Sequence, residues 1–153
     1  MRIITNTVKR SKDYEETLQK LGGKGATLFP TLREALSFAA VLGYKENRKL
    51  PLNVSAGTED IAGAQYQNNK CVDIIFAISL AESKTADIFK EENEKDCIAI
   101  YEEYANGGLN LIQEWLEQYA DLNIEDALWR GLATIGFKPP LENDNEKVVE
   151  PNF

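Results

Sequence analysis

Residues Phe29 to Leu52 read FPTLREALSFAAVLGYKENRKLPL, and this stretch predicts the best-defined helix of the chain. Thr31 and Glu34 have the spacing of a capping box, in which the threonine side chain accepts a hydrogen bond from the amide three residues on. Apolar residues then recur every three or four positions, as on the buried face of a helix: Leu32, Leu36, Ala39 and Ala40. We expect Gly43 to end this helix in the left-handed conformation.

A cluster of cations follows the predicted helix, namely Lys45, Arg48 and Lys49, with Pro51 just after them. The helix is therefore expected to pack into the core and to hold a basic loop at the surface. The sequence shows no catalytic constellation, so we predict no catalytic residue and a non-enzymatic protein.

Charge is divided unevenly along the 153 residues, which carry a formal net charge of −8. Residues 1–50 hold ten Lys and Arg against five Asp and Glu, a net +5. Residues 51–153 hold seven against twenty, a net −13. This division favours a basic surface that contacts DNA, although a solvated helical surface must carry charge in any case. The candidate DNA-backbone contacts are the cations of the basic half: Lys45, Arg48 and Lys49 first, then Arg2, Lys9, Arg10, Lys12 and Lys24.

The counts of cysteine and histidine limit the chemistry. Cys71 and Cys97 lie inside apolar runs, and no signal peptide or membrane-spanning run is evident. We therefore expect buried thiols in a cytoplasmic protein rather than a disulfide. Histidine is absent, which removes the commonest general base and transition-metal ligand. No metal or other cofactor is predicted.

The N-terminal elements leave two architectures open. Met1 to Val8 is rich in β-branched residues and predicts a strand or extended arm, and Ser11 is expected to open a helix that ends at Gly22 and Gly23. The order strand, helix, turn, helix is that of a ribbon-helix-helix module, in which two chains pair strands in the DNA major groove. The long turn GGKGATLFP fits an ordinary helical hairpin with an N-terminal arm better.

Acidic residues after Pro51 have a structural and a metal-binding interpretation. Thr58 is expected to cap a short helix with Glu59 and Asp60 in its first turn, where acids favour the helix dipole. The alternative is a metal-dependent enzyme built on Glu59, Asp60 and Asp73 or on the acids of residues 91–94. We favour the structural interpretation, because these acids have no nearby partner base.

Three further helices are predicted downstream. Residues 71–81 are apolar on nearly every side, which favours a central buried helix over a buried strand. Residues 95–119 carry an apolar stripe over about six turns. Gly107 and Gly108 either break this helix or allow another helix to approach it closely, and we favour one continuous helix. Asn123 is expected to cap the last helix.

The aromatic residues of the stripe in 95–119 are interpreted as core rather than as a platform for stacked nucleobases, since acids flank them. The expected fold is mainly α, with five to six helices and a short N-terminal strand or arm. We expect one helical domain over residues 1–138 and an acidic, disordered tail over 139–153.

The opening stretch, together with GTEDIAGAQY at residues 57–66, resembles the small helical proteins encoded beside bacterial DNA phosphorothioation (Dnd) systems. The family is the one called Dnd system-associated protein four. The likeness continues through ENEKDCIAIYEEYANGGLNLIQEWL to Ile135–Phe137, which is most of the chain outside the tail. These systems place sulfur in the DNA backbone and restrict unmodified DNA.

The resemblance implies an accessory protein of a defence system and transfers no functional residue. The implied partners are other phosphorothioation proteins or duplex DNA, with no membrane association, and a homodimer stays open. The alternative function is a protein-only adaptor or inhibitor that uses the acidic surface.

Overall fold

The computed structural model describes residues 4–68 and 71–138. Its helices and strands follow in the order β1 (Val8–Ser11), α1 (Glu15–Gly22), α2 (Leu32–Lys45), β2 (Thr58–Ile61), α3 (Gly63–Asn68), α4 (Cys71–Ser83), α5 (Glu94–Gln118) and α6 (Ile124–Thr134). Short 3-10 turns lie at Lys12–Tyr14, Val54–Ala56, Ala86–Phe89 and Glu91–Asn93. The protein is 67% helical with six helices and one two-stranded sheet in the described parts, which confirms the mainly α prediction.

The two short strands pair antiparallel within the chain, with Val8 opposite Ile61 and Ser11 opposite Thr58. One expectation was wrong here, because Thr58 begins a strand rather than capping a helix. Ser11 does open a helical segment that ends at Gly22, but its first turn, Lys12–Tyr14, is a 3-10 turn and α1 begins after it. The partner of β1 is β2 of the same chain, so this edge does not need a strand from a second chain, as the ribbon-helix-helix module would.

Helix α2 begins as its sequence predicts, because the Thr31 side chain accepts from the Glu34 amide at 3.2 Å. It does not end at Gly43 but continues to Lys45. The reason is packing: a Cβ at Gly43 would collide with the backbone carbonyl oxygen of Tyr104 in α5. Gly43 therefore serves the close approach of two helices instead of terminating one.

Helix α5 is continuous through both of its central glycines. A Cβ at Gly107 would meet the carbonyl of Arg48, and a Cβ at Gly108 would meet the carbonyl of Ala39. The glycines thus bring α2 and the loop after it directly onto the backbone of α5. This is the alternative in which Gly107 and Gly108 allow another helix to approach closely.

Backbone contacts divide the chain into two compact units, residues 1–114 and 115–153. The core of the first unit contains a buried chain of hydroxyl groups, in which Tyr101 lies 2.9 Å from Ser37 and 2.9 Å from Tyr66. Both cysteines are buried thiols outside any disulfide, as predicted, and the Cys97 thiol lies 2.9 Å from the Ser79 hydroxyl. The largest fully buried side chains of the first unit also include Leu18, Leu21, Leu36, Ile75, Leu109 and Ile112.

The second unit is built around α6. Asn123 caps this helix as expected, with its side chain accepting from the Asp126 amide at 2.8 Å. Gly131 lies directly against the Trp115 ring, so a larger residue there would collide with the indole. The predicted tail, residues 139–153, lies outside the described residues. One domain over residues 1–138 stays a prediction.

Candidate functional site

The predicted basic loop follows α2, and backbone hydrogen bonds join it to both α2 and α5. The Arg48 amide donates to the Gly43 carbonyl at 2.8 Å, and the Leu50 amide donates to the Glu103 carbonyl at 3.1 Å. Asn47 between them has a φ of 54°, a left-handed conformation that asparagine tolerates well. These hydrogen bonds fix the backbone positions from which the side chains of residues 45–49 extend.

Arg48 turns towards α5 rather than into open solvent. Its guanidinium donates to the Asn110 side-chain oxygen at 2.7 Å and to the Glu114 carboxylate at 3.0 Å. The side chain of Arg48 is 32% exposed. Most of it is therefore covered by the protein, and its charge has a carboxylate partner within the first unit.

Lys49 occupies a comparable position between two helices. Its ammonium nitrogen lies 3.0 Å from a Glu82 oxygen, 3.8 Å from a Glu103 oxygen and 5.6 Å from the centroid of the Tyr104 ring. The Tyr104 hydroxyl donates to Glu82 at 2.7 Å. Hydrogen bonds from Tyr104 and then Lys49 lower the pKa of Glu82, whereas burial, followed by the neighbouring Glu82, raises the pKa of Tyr104 to about 12.

Lys45 completes the loop, with its nitrogen 3.3 Å from a Glu46 oxygen. The structure therefore brings all three leading candidates together, and each has a carboxylate partner from residues 46, 82, 103 or 114. We call this arrangement the neutralised loop. The sequence indicated its cations and Glu46, the chain neighbour of Lys45, but the other three acids come from α4 and α5, which only folding brings close.

The other predicted DNA contacts lie outside this loop. Arg10 is buried and makes two hydrogen bonds with Glu15, at 2.7 and 3.0 Å, which lower the pKa of Glu15. Lys12 lies 3.7 Å from Glu59. Lys24 is exposed in the turn after α1. Arg2 lies outside the described residues.

Lys9 lines a cleft of about 380 Å³ between the N-terminal segment and the start of α5. The lining residues are Asn6, Thr7, Lys9, Lys95, Ile98 and Glu102. The Lys9 amide donates to Glu102 at 2.6 Å, and burial raises the pKa of Glu102 to about 7. Lys95 and Glu102 carried no signal in the sequence, since their neighbours in the cleft lie some 90 positions away along the chain.

Glu94 fastens the N-terminal segment beside this cleft. Its carboxylate accepts from the amides of Thr5 and Asn6, at 3.0 and 2.9 Å, and from both of their side chains. Burial alone would raise the pKa of Glu94, but these hydrogen bonds outweigh it and the pKa is lowered. Glu94 was part of the acidic segment considered for metal binding, and the structure gives it this anchoring contact.

Within residues 4–68 and 71–138, no group of three or more His, Cys, Asp or Glu is placed to hold a metal ion. Tyr101, Tyr104 and Trp115 are buried, as expected of core residues, whereas Tyr119 of the same aromatic row is only half-buried. None of the described helices is both long and apolar enough to cross a membrane.

The fold and these contacts define a small, mainly helical protein whose most prominent cations are ion-paired within the chain. A family profile described as DNA sulphur modification system-associated protein 4 matches residues 7–145, and the chain belongs to that family. No curated protein and no solved structure matches it. The resemblance noted from the sequence is therefore confirmed, and the family's description associates the protein with a DNA sulphur modification system.

Proposed function

We propose that this protein is a non-enzymatic accessory component of a bacterial DNA phosphorothioation system and that it acts by binding another protein of that system. Family membership supports the association with the system. The observation that carries the protein-binding role is the neutralised loop, because Arg48 and Lys49 already lie 3.0 Å from Glu114 and Glu82.

Binding to the DNA backbone draws its affinity from cations that replace the counterions of phosphate. At the neutralised loop a phosphate would have to displace a carboxylate from each cation, and the phosphate would then lie next to the displaced carboxylate. The repulsion between these anions opposes the binding. A protein partner has no such requirement, since it can offer basic side chains to the acidic surface.

The segment before and at the start of α5 offers such an acidic surface. Glu91, Glu92 and Asp96 are exposed there, within a chain of net charge −8. We expect a basic partner surface to meet these carboxylates, either as the target of an adaptor or as a DNA-binding surface that the protein inhibits.

Co-purification of the tagged full chain with each component of the phosphorothioation system tests the proposal. We expect one component to co-purify with the wild type and to be lost with the triple variant Glu91→Gln, Glu92→Gln, Asp96→Asn. A matched control, Glu16→Gln with Glu59→Gln and Asp60→Asn, removes the same number of exposed acids elsewhere and should keep the partner. Failure of every component to co-purify with the wild type would overturn the proposal.

Direct contact with DNA is a second candidate, favoured by one observation. Lys9 and Lys95 are exposed beside the same cleft, and within the described part of the chain neither ammonium group forms a salt bridge, although the charge of Lys9 acts against the rise in the pKa of Glu102. If DNA binds there, a gel shift with modified and unmodified duplex at low salt should show binding that falls with added salt. Lys9→Glu with Lys95→Glu should abolish it.

A further inference from the structure

We propose that the exposed face of α4 is a self-association surface, on which a second copy of this chain packs its own α4 in antiparallel orientation. The proposal goes beyond the proposed function, because it concerns contact between identical chains and not the partner from the modification system.

Helix α4 is unusually apolar for a helix at the surface. Its sequence, CVDIIFAISLAES, carries two acids, Asp73 and Glu82, and no base. One side, which includes Val72, Ile75 and Ile78, is buried in the core of the first unit. A helix that is apolar all round is normally covered on all sides. The flank of the other side is covered within the chain, where the Phe76 ring packs edge-on against Phe89 at 5.4 Å, and we expect the part that stays exposed to have a second contact.

The exposed side of α4 consists of small and apolar residues between two charged ones. Asp73, Ala77, Leu80 and Ala81 recur at helical spacing and are exposed, and Leu80 retains 40% of its accessible surface. Lys84 is also exposed and follows the helix directly. The face is therefore apolar in the middle, with an anion at one end and a cation at the other. The alanines would let another helix approach closely.

This order of residues fits a second copy of itself. When two such helices run antiparallel about a two-fold axis between Ile78 and Ser79, Ala77 lies opposite Leu80 of the other copy and Phe76 lies opposite Ala81. Lys84 follows the helix with a φ of 60°, and its amide still donates to the Leu80 carbonyl at 2.8 Å, so the same axis brings its backbone position opposite Asp73 of the other copy at both ends. Isologous pairing requires this kind of self-complementarity. Parallel pairing would instead set Asp73 against Asp73 and Lys84 against Lys84, which like charges oppose.

Sedimentation equilibrium of the full chain over a concentration series tests the surface. We expect the wild type to dimerise and Leu80→Glu to raise the dissociation constant by roughly tenfold or more, since the symmetric interface receives two buried carboxylates. Val41→Glu is the matched control, because Val41 is 48% exposed and belongs to α2 instead of α4. It should leave the dissociation constant unchanged.

A charge exchange tests the register and does not depend on how well Leu80→Glu folds. Asp73→Lys and Lys84→Asp should each weaken the dimer, and the two together should restore it, because the exchanged pair is again complementary. A wild type that stays monomeric at every concentration would overturn the proposal. A dimer that both single variants leave unchanged would overturn it too, as would a double variant no tighter than either single one.

Discussion

The ammonium group of Lys49 lies 3.0 Å from the carboxylate of Glu82, although the two residues are 33 positions apart in the sequence. This pair shows why a count of charges along the chain is an incomplete guide to its surface. Residues 1–50 have a surplus of cations, yet two of these cations, Arg48 and Lys49, form ion pairs with acids from the later part of the chain. Part of the positive charge of residues 1–50 is therefore neutralised by ion pairs within the chain.

Replacing Arg48 tests whether the neutralised loop has a structural role. Arg48→Glu would exchange the ion pair with Glu114 for a repulsion and would leave Asn110 without its guanidinium donor. We expect the free energy of unfolding to fall by roughly 1–2 kcal/mol, as measured by urea denaturation. Lys24→Glu is the control, because Lys24 is exposed outside this cluster and should change stability little. Equal stability of both variants would argue against the structural role.

The contact between α2 and α5 depends on glycine at residue 108. Gly108→Ala improves intrinsic helix propensity by about 1 kcal/mol. Its Cβ would, however, meet the backbone carbonyl of Ala39, which cannot turn away as a side chain would. We expect the protein to lose roughly 2 kcal/mol of stability in urea unfolding. Gln113→Ala on the same helix should have a much smaller effect, and a Gly108→Ala variant as stable as the wild type would contradict this packing.

Glu102 should make stability depend on pH near neutrality. Its pKa is raised from 4.5 to about 7 in the folded protein, so the folded state binds more protons than the unfolded state between these values. The stabilisation is complete below pH 4.5 and is lost as the pH rises through about 7. Glu102→Gln should keep an acceptor for the Lys9 amide but remove this titration.

Urea unfolding at about pH 5 and about pH 8 measures the effect of Glu102, and the wild type should lose roughly 1–2 kcal/mol more than Glu102→Gln over that interval. Glu15, Glu82 and Glu94 have lowered pKa values, so their contributions are lost on acidification, in a separate and lower range. Parallel pH profiles for the two proteins would show that Glu102 titrates normally.

Glu94 should control the order of the N-terminal segment. Glu94→Gln removes the charge that accepts from the amides of Thr5 and Asn6. Hydrogen exchange at these two amides should accelerate by about tenfold or more, because hydrogen bonds to a charged acceptor are the stronger kind. Glu91→Gln, an exposed acid one turn earlier, should leave both rates unchanged. Unchanged exchange in Glu94→Gln would mean that other contacts hold the segment.

The sequence alone determined the features that depend on local spacing. Thr31 and Asn123 cap the helices that they were expected to cap, and the apolar stripe of α5 predicted a helix from residue 95 against an observed start at Glu94. The family could also be named from the sequence, because an uncommon run of residues needs no geometry to be recognised. Such features are settled by neighbours within one or two turns of the chain.

The tertiary structure decided what distant residues do to each other. Gly43 is a residue type typical of a helix end, but here it allows close contact with Tyr104 inside the helix. Thr58 is a residue type typical of a helix cap, but pairing with Ser11 places it in a strand. Lys49 and Glu82 become partners only when α2 and α4 pack in the same unit. The physical reason is common to all three: backbone collision, strand pairing and ion pairing act over a few ångströms in space, and only the folded chain sets those distances.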